Sequence, residues 1–175
     1  MARTRDGDLG AYSALVDRYT ALAHRTAYLL GAGHEAEDVV QEAFVKAFRA
    51  LASFRGSAFR PWLLRIVANE THNLVRSRSR RVATELRAAG LELAVPDDPE
   101  SQALSETAGA ELLAAVRTLP EKHREVVICR YFLDLTEGET AEVLGCPRGS
   151  VKSRLHRAFG RLRPVLAAEK EAVGD

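Results

Sequence analysis

The residues best equipped for chemistry in this chain are cations and hydroxyls at helical spacing near its C-terminus. From Arg148 to Arg163 six basic residues stand without one acid between them. Ser150, Ser153, His156 and Arg157 share a face opposite the row Val151, Leu155, Ala158, Phe159 and Leu162, with Arg148 at the start and Lys152, Arg154 and Arg161 at the flanks. Guanidinium and ammonium groups in such an array pair with phosphate oxygens or with the O6 and N7 edge of guanine, and a serine hydroxyl suits either. The plainer reading is a solvated basic face.

Two further constellations lie upstream. RSRSRR places Arg76, Arg78, Arg80 and Arg81 within six positions, an array suited to phosphates that release counterions on contact. Before it stand Phe54, Phe59 and Trp62, flat enough to stack on bases, although a lone tryptophan is more often a core residue. In the second constellation, Asp38, Gln41 and Glu42 decorate a helical segment whose Val40, Phe44, Ala47 and Leu51 recur on one apolar face. A metal site built from His34, Glu35, Asp38 and Glu42 lacks the second ligand cluster that a helical metal centre needs. No phosphate-cradling glycine loop, nucleophile triad or metal-ligand quartet is present, so neither catalysis nor a cofactor is expected.

These groups must be positioned by helices. The 175 residues are 46% hydrophobic and 28% charged, a globular composition. Periodicity near 3.6 dominates on both sides of residues 83 to 105, and alternating strand patterns bounded by turns are missing. The expected fold is therefore all-α, with a helical domain over 8–82, a linker over 83–105 and a smaller helical domain over 106–168. Gly90, Pro96, Pro99 and the Asp97-Asp98 pair mark the linker, with room for a short helix around Thr84 to Leu93. The net charge of +1 conceals a segregation: two basic poles flank a middle in which Asp97 to Glu111 holds five acids and no base. Thr136 followed by Glu139 forms a capping box, Gly145 suits a left-handed C-terminal position, and Pro147 suits the first turn of the next helix. Together they predict a helix-turn-helix whose second helix enters a major groove. Cys129 and Cys146 are too few for a disulfide framework, and neither a membrane-spanning run nor a signal peptide is visible. A reducing cytoplasm without membrane insertion is the expected compartment.

The segment GETAEVLGCPRGSVKSRLHRAFGRL, preceded by LPEKHREVVICRYFLDLT, resembles region four of the sigma-70 family of bacterial RNA polymerase sigma factors, in the form found in the extracytoplasmic-function group. The resemblance implies that the basic face around Arg148, Ser150, Lys152, Ser153, Arg154, His156, Arg157 and Arg161 reads the minus-thirty-five promoter element. The family usually carries an acid where Gly138 stands and a bulky aliphatic residue where Thr140 stands, departures that bear on packing of the first helix. Upstream, GHEAEDVVQEAFVKAFRALASFRG resembles region two, with Asp38, Gln41, Glu42 and Phe44 on its D-x-x-Q-E-x-F pattern. The polar surface there is implied to grip the clamp helices of the beta-prime subunit of core polymerase. SFRGSAFRPWLLRIVANETHNLVRSRSRR resembles the part of region two that recognises and opens the minus-ten element. By that likeness Ser53, Phe54, Arg55 and Phe59 form a base pocket, Trp62, Arg65, Asn69 and Asn73 surround it, and Arg76, Arg78, Arg80 and Arg81 follow the backbone. The likeness covers about 8–82 and 110–165. It implies promoter DNA, core polymerase (including the beta flap) and an anti-sigma factor as partners, and a chain that directs polymerase and helps open DNA without catalysing anything itself. Two rivals are a stand-alone regulator using the same helix-turn-helix, and a helical enzyme with Asp38 and Glu42 as acid and base.

Overall fold

In the computed structural model of the chain, residues 9–55, 58–88 and 108–173 are described, and among them every regular element is helical. The chain divides into two compact units; among the described residues the first holds three α-helices and the second four.

In the first unit, α1 is Leu9–Ala27, α2 is Ala36–Ala50 and α3 is Phe59–Ala88. Small residues dominate where the helices meet: Ala23, Ala27, Ala36, Ala43 and Ala47 are fully buried and let the backbones approach closely. Phe44, Leu63 and Val67 fill the spaces between them, each full burial of such a side chain contributing about 1.5–3 kcal/mol. The expected row Val40, Phe44, Ala47 and Leu51 is buried. Between α1 and α2 the chain passes a widened turn, Tyr28–Ala32, in which Gly31 takes φ 111°. That left-handed conformation strains any residue with a side chain, so glycine suits the position.

The turn leaves carbonyls that need donors, and α3 supplies them. Arg78 donates through Nε to Glu35 Oε2 at 2.6 Å and through Nη2 to the Ala32 carbonyl at 3.0 Å. Lower on the same helix, Glu70 accepts from Lys46 Nζ of α2 at 2.6 Å, and Lys46 also reaches Glu42 at 3.4 Å. Tyr12 of α1 donates its hydroxyl to the Phe44 carbonyl at 2.6 Å. Burial pushes its phenol up to about 12.

α3 runs on to Ala88, so residues 83–88, assigned above to the linker, continue the helix instead of leaving it. Thr84 donates to the Arg80 carbonyl at 2.9 Å within that extension. The remainder of the linker, including the acids Asp97, Asp98, Glu100 and Glu106, lies outside the described residues.

The second unit comprises α4, Ala108–Arg117; α5, Glu121–Val127, extended by a widened turn Ile128–Phe132; α6, Glu137–Val143; and α7, Arg148–Val173. Val116, Val126, Ile128, Leu135, Val143 and Val151 form its interior. The Thr136 capping box is complete: Thr136 Oγ1 accepts from the Glu139 amide at 3.2 Å, and the Thr136 amide donates to Glu139 Oε2 at 2.8 Å. At the other end of α6 the Cys146 amide donates to the Ala141 carbonyl at 3.0 Å, the Gly145 amide to that of Glu142 at 3.3 Å, and Gly145 takes φ 59°. This is the paired bond pattern by which a glycine stops a helix.

In the second unit three details differ from the sequence-based expectation. Pro147 stands immediately before α7, its carbonyl accepting the Ser150 amide at 2.9 Å, and α7 extends to Val173. Phe159 is 38% exposed, packed edge-on against Tyr131 at 5.5 Å instead of joining the interior row. Thr140 is fully buried with its hydroxyl unpartnered among the described residues.

Candidate nucleic-acid and polymerase interfaces

On α7 the row Val151, Leu155, Ala158 and Leu162 is buried, which turns the opposite side of the helix outward. Arg148, Lys152, Ser153, His156, Arg157 and Arg161 are exposed there, while Ser150 and Arg154 are half-buried. Advancing about 100° per residue, Ser153 and His156 occupy the middle of the outward strip. Arg148 and Lys152 fall on one flank; Arg154 and Arg161, with Arg157 between them and the middle, fall on the other. The second flank lies nearest the first turn of α5, where burial and then Arg161, Arg157 and Arg154 lower the pKa of His123. A helix about 10–12 Å across with a cation row on each side matches a groove about 12 Å wide bounded by two phosphate backbones.

α3 carries a second strip. Trp62, Arg65, Asn69, Asn73, Arg76 and Arg80 fall within about 80° of one another at 3.6 residues per turn. All are exposed except Trp62, which is half-buried. The strip is about 27 Å long at 1.5 Å per residue. Arg81 is exposed beside it, whereas Arg78 points the other way, held by Glu35 and the turn carbonyls. Of the four arginines grouped in sequence, the fold thus separates one from the rest.

The aromatic members of the upstream loop are inside. Phe54 and Phe59 are buried, with ring centroids 4.7 and 5.5 Å from that of Trp62 and the rings tilted against it. Ser53 donates to the Ala50 carbonyl at 2.8 Å, and Arg55 Nη1 to that of Ala52 at 2.8 Å, both closing the turn after α2. Gly56 and Ser57 lie outside the described residues.

On α2 the polar residues Asp38, Gln41 and Glu42 are exposed together. The same face continues into Val45 and Phe48, 43% and 41% exposed, beside Arg49. Phe48 packs on Tyr12 at 4.9 Å and rims a shallow apolar depression with Phe44 and Val45. Sequence reasoning stopped at the polar positions. The signal was available in the spacing: Asp38, Glu42, Val45 and Arg49 step by four, three and four, and Val45 stands about 130° around the helix from the centre of the buried row.

The two halves, each built from helices with an outward polar strip, match two family models in chain order: residues 15–81 match sigma-70 region 2, and residues 109–162 match sigma-70 region 4. The chain belongs to the sigma-70 family of RNA polymerase sigma factors, in its extracytoplasmic-function group. It is 37% identical over 168 residues to the ECF RNA polymerase sigma-E factor of Escherichia coli K12, covering 89% of this chain and 86% of the relative. The sigma-E factor of Haemophilus influenzae is 35% identical, covering 89% and 87%. Among solved structures, the sigma factor RpoE in complex with the anti-sigma factor NepR from Bartonella quintana aligns with TM-score 0.70 and 27% identity, covering 90% of this chain and 97% of that one. CnrH in complex with the cytosolic domain of CnrY aligns with TM-score 0.70 and 28% identity, covering 95% and 94%. As a sigma factor the chain acts in promoter-specific transcription initiation with core RNA polymerase, and the polymerase performs the chemistry. Among the described residues no helix is long and apolar enough to cross a membrane.

Proposed function

We propose a division of labour among the three outward strips. The α2 face, with Asp38, Gln41 and Glu42 around a Val45–Phe48 apolar centre, docks on the clamp helices of beta-prime. The α3 strip holds the opened minus-ten element: Trp62, Arg65, Asn69 and Asn73 take the bases, and Arg76, Arg80 and Arg81 take the phosphates. On α7, Ser153, His156 and Arg157 read the minus-thirty-five bases, while the flanking cations grip the backbones on either side. Arg78, Phe54 and Phe59 leave the contact set, because their donors and ring faces are used inside the first unit. The observation that carries this reading is the outward face of α2, where carboxylates surround exposed valine and phenylalanine. A protein surface suits such a mixture, and a polyanion does not.

The likeness to sigma factors solved with anti-sigma partners supports an anti-sigma factor as a regulator of this chain too, and the cytoplasm as its compartment. The decisive experiment mixes the purified chain with core polymerase and promoter DNA. The free chain should bind promoter duplex weakly and become specific with core, which holds both units at once and raises their effective concentration. Tight, specific binding by the free chain at physiological salt supports the stand-alone regulator instead.

A further inference from the structure

Gly138, where the family usually carries an acid, lies in the first turn of α6, and the side chain of Arg148, the first residue of α7, lies across it. A Cβ at position 138 would come within 2.9 Å of Arg148 Nη2, 3.3 Å of its Cζ and 3.4 Å of its Nε. Three atoms of one guanidinium at such similar ranges mean that the group rests along the glycine, in space a methyl would take. The two glycines of α7 differ: around Gly149 and Gly160 a Cβ would meet nothing within 4 Å. Gly138 has no positive φ to explain it either, being an ordinary helical residue that costs stability relative to alanine. What it provides is room for one cation.

That cation sits where DNA passes. The second helix of a helix-turn-helix occupies the major groove with its N-terminal residues forward, and the first helix crosses the backbone. Arg148 is exposed, starts the second helix and is folded toward the first. Its guanidinium therefore lies at the groove wall and not at the floor where bases are read. We infer that Gly138 is a positioning residue for promoter binding, which holds the Arg148 guanidinium against the first helix as a phosphate contact. This rests on the assignment of α7 to the minus-thirty-five element.

The test uses the full chain assembled with core polymerase, with Gly138→Ala, Arg148→Ala and the double variant titrated against salt on promoters varied in the minus-thirty-five element. Arg148→Ala should weaken all promoters alike and lower the salt slope by about one. Gly138→Ala, which displaces the far end of a flexible side chain, should reproduce part of that loss with unchanged base preference, while its thermal midpoint rises because alanine favours the helix. In the Arg148→Ala background it should change binding no further. If Gly138→Ala leaves the slope unchanged, or weakens the Arg148→Ala chain as much as the parent, the positioning role is overturned. An Arg148→Ala chain that binds normally overturns instead the placement of Arg148 at DNA.

Discussion

Each unit has one long, arginine-bearing helix, α3 in the first and α7 in the second, and the two use the same residue type differently. Along α7 the row Val151, Leu155, Ala158 and Leu162 is buried, and cations stand on both flanks, with Arg148, Lys152, Arg157 and Arg161 exposed and Arg154 half-buried. Along α3, Arg76 and Arg80 are exposed, while Arg78, two residues from each, is tied to Glu35 and the Ala32 carbonyl. The difference comes from what each helix passes. The end of α3 runs beside the Gly31 turn, where the part-buried bond to the Ala32 carbonyl and the Glu35 carboxylate hold the guanidinium, and a partly desolvated carbonyl left without a donor costs free energy. An arginine's role is thus set by the acceptors its side chain can reach, and a run of arginines does not act as one patch.

The strongest loss is expected at the outward strip of the first unit that is not basic. Reversing Asp38 and Glu42 to lysine should abolish assembly with core polymerase while the chain stays folded. Each exposed substitution falls within about ±0.5 kcal/mol, and the exposed Glu42–Lys46 pair lost with it is worth little. Phe48→Ala should weaken the same assembly, measured by gel filtration or fluorescence titration with core. Unfolding of the double reversal would make these residues structural, and normal assembly would remove α2 from the interface.

Next comes the contrast within α3. Arg78→Ala should lower the stability of the first unit by about 1–3 kcal/mol, since it strands a half-buried carboxylate and a turn carbonyl. Arg76→Ala should leave urea unfolding unchanged and instead lower the salt slope of promoter-complex formation by about one. Equal behaviour of the two variants would erase the distinction between strut and phosphate contact.

A smaller effect, of opposite sign, is expected at Thr140 in the second unit. Thr140→Val keeps the shape and removes a buried hydroxyl that has no partner among the described residues, so thermal or urea unfolding should show a gain of about 1 kcal/mol. A loss would mean that the hydroxyl is satisfied in solution.

The smallest is a pH effect. His123 is harder to protonate in the folded unit than in the unfolded chain, through burial first and then Arg161, Arg157 and Arg154. The native state therefore binds this proton more weakly. The associated stability is present above the ordinary histidine range and is lost as pH falls through the depressed pKa. The melting midpoint should fall less between neutral and mildly acidic pH in His123→Gln than in the parent; identical profiles would remove His123 as a contributor.

Features that depend on near neighbours are legible in the amino-acid order alone. The Thr136 capping box, the Gly145 stop, the buried rows of α2 and α7 and the outward set Lys152, Ser153, His156 and Arg157 each follow from residues within a few turns of one another, because helical geometry is repetitive. The exposed α2 pair Val45 and Phe48 followed the same rule and was equally legible. Where distant segments meet is set by packing in three dimensions. Arg78 found Glu35, 43 positions away, across the α1–α2 turn. Phe54 and Phe59 turned inward, each ring in contact with Trp62. Phe159 left the interior row for Tyr131, and Gly138 received a guanidinium from the next helix. A side chain's periodic position says which way it starts, but its partner belongs to another element, and the packing of the elements chooses that partner.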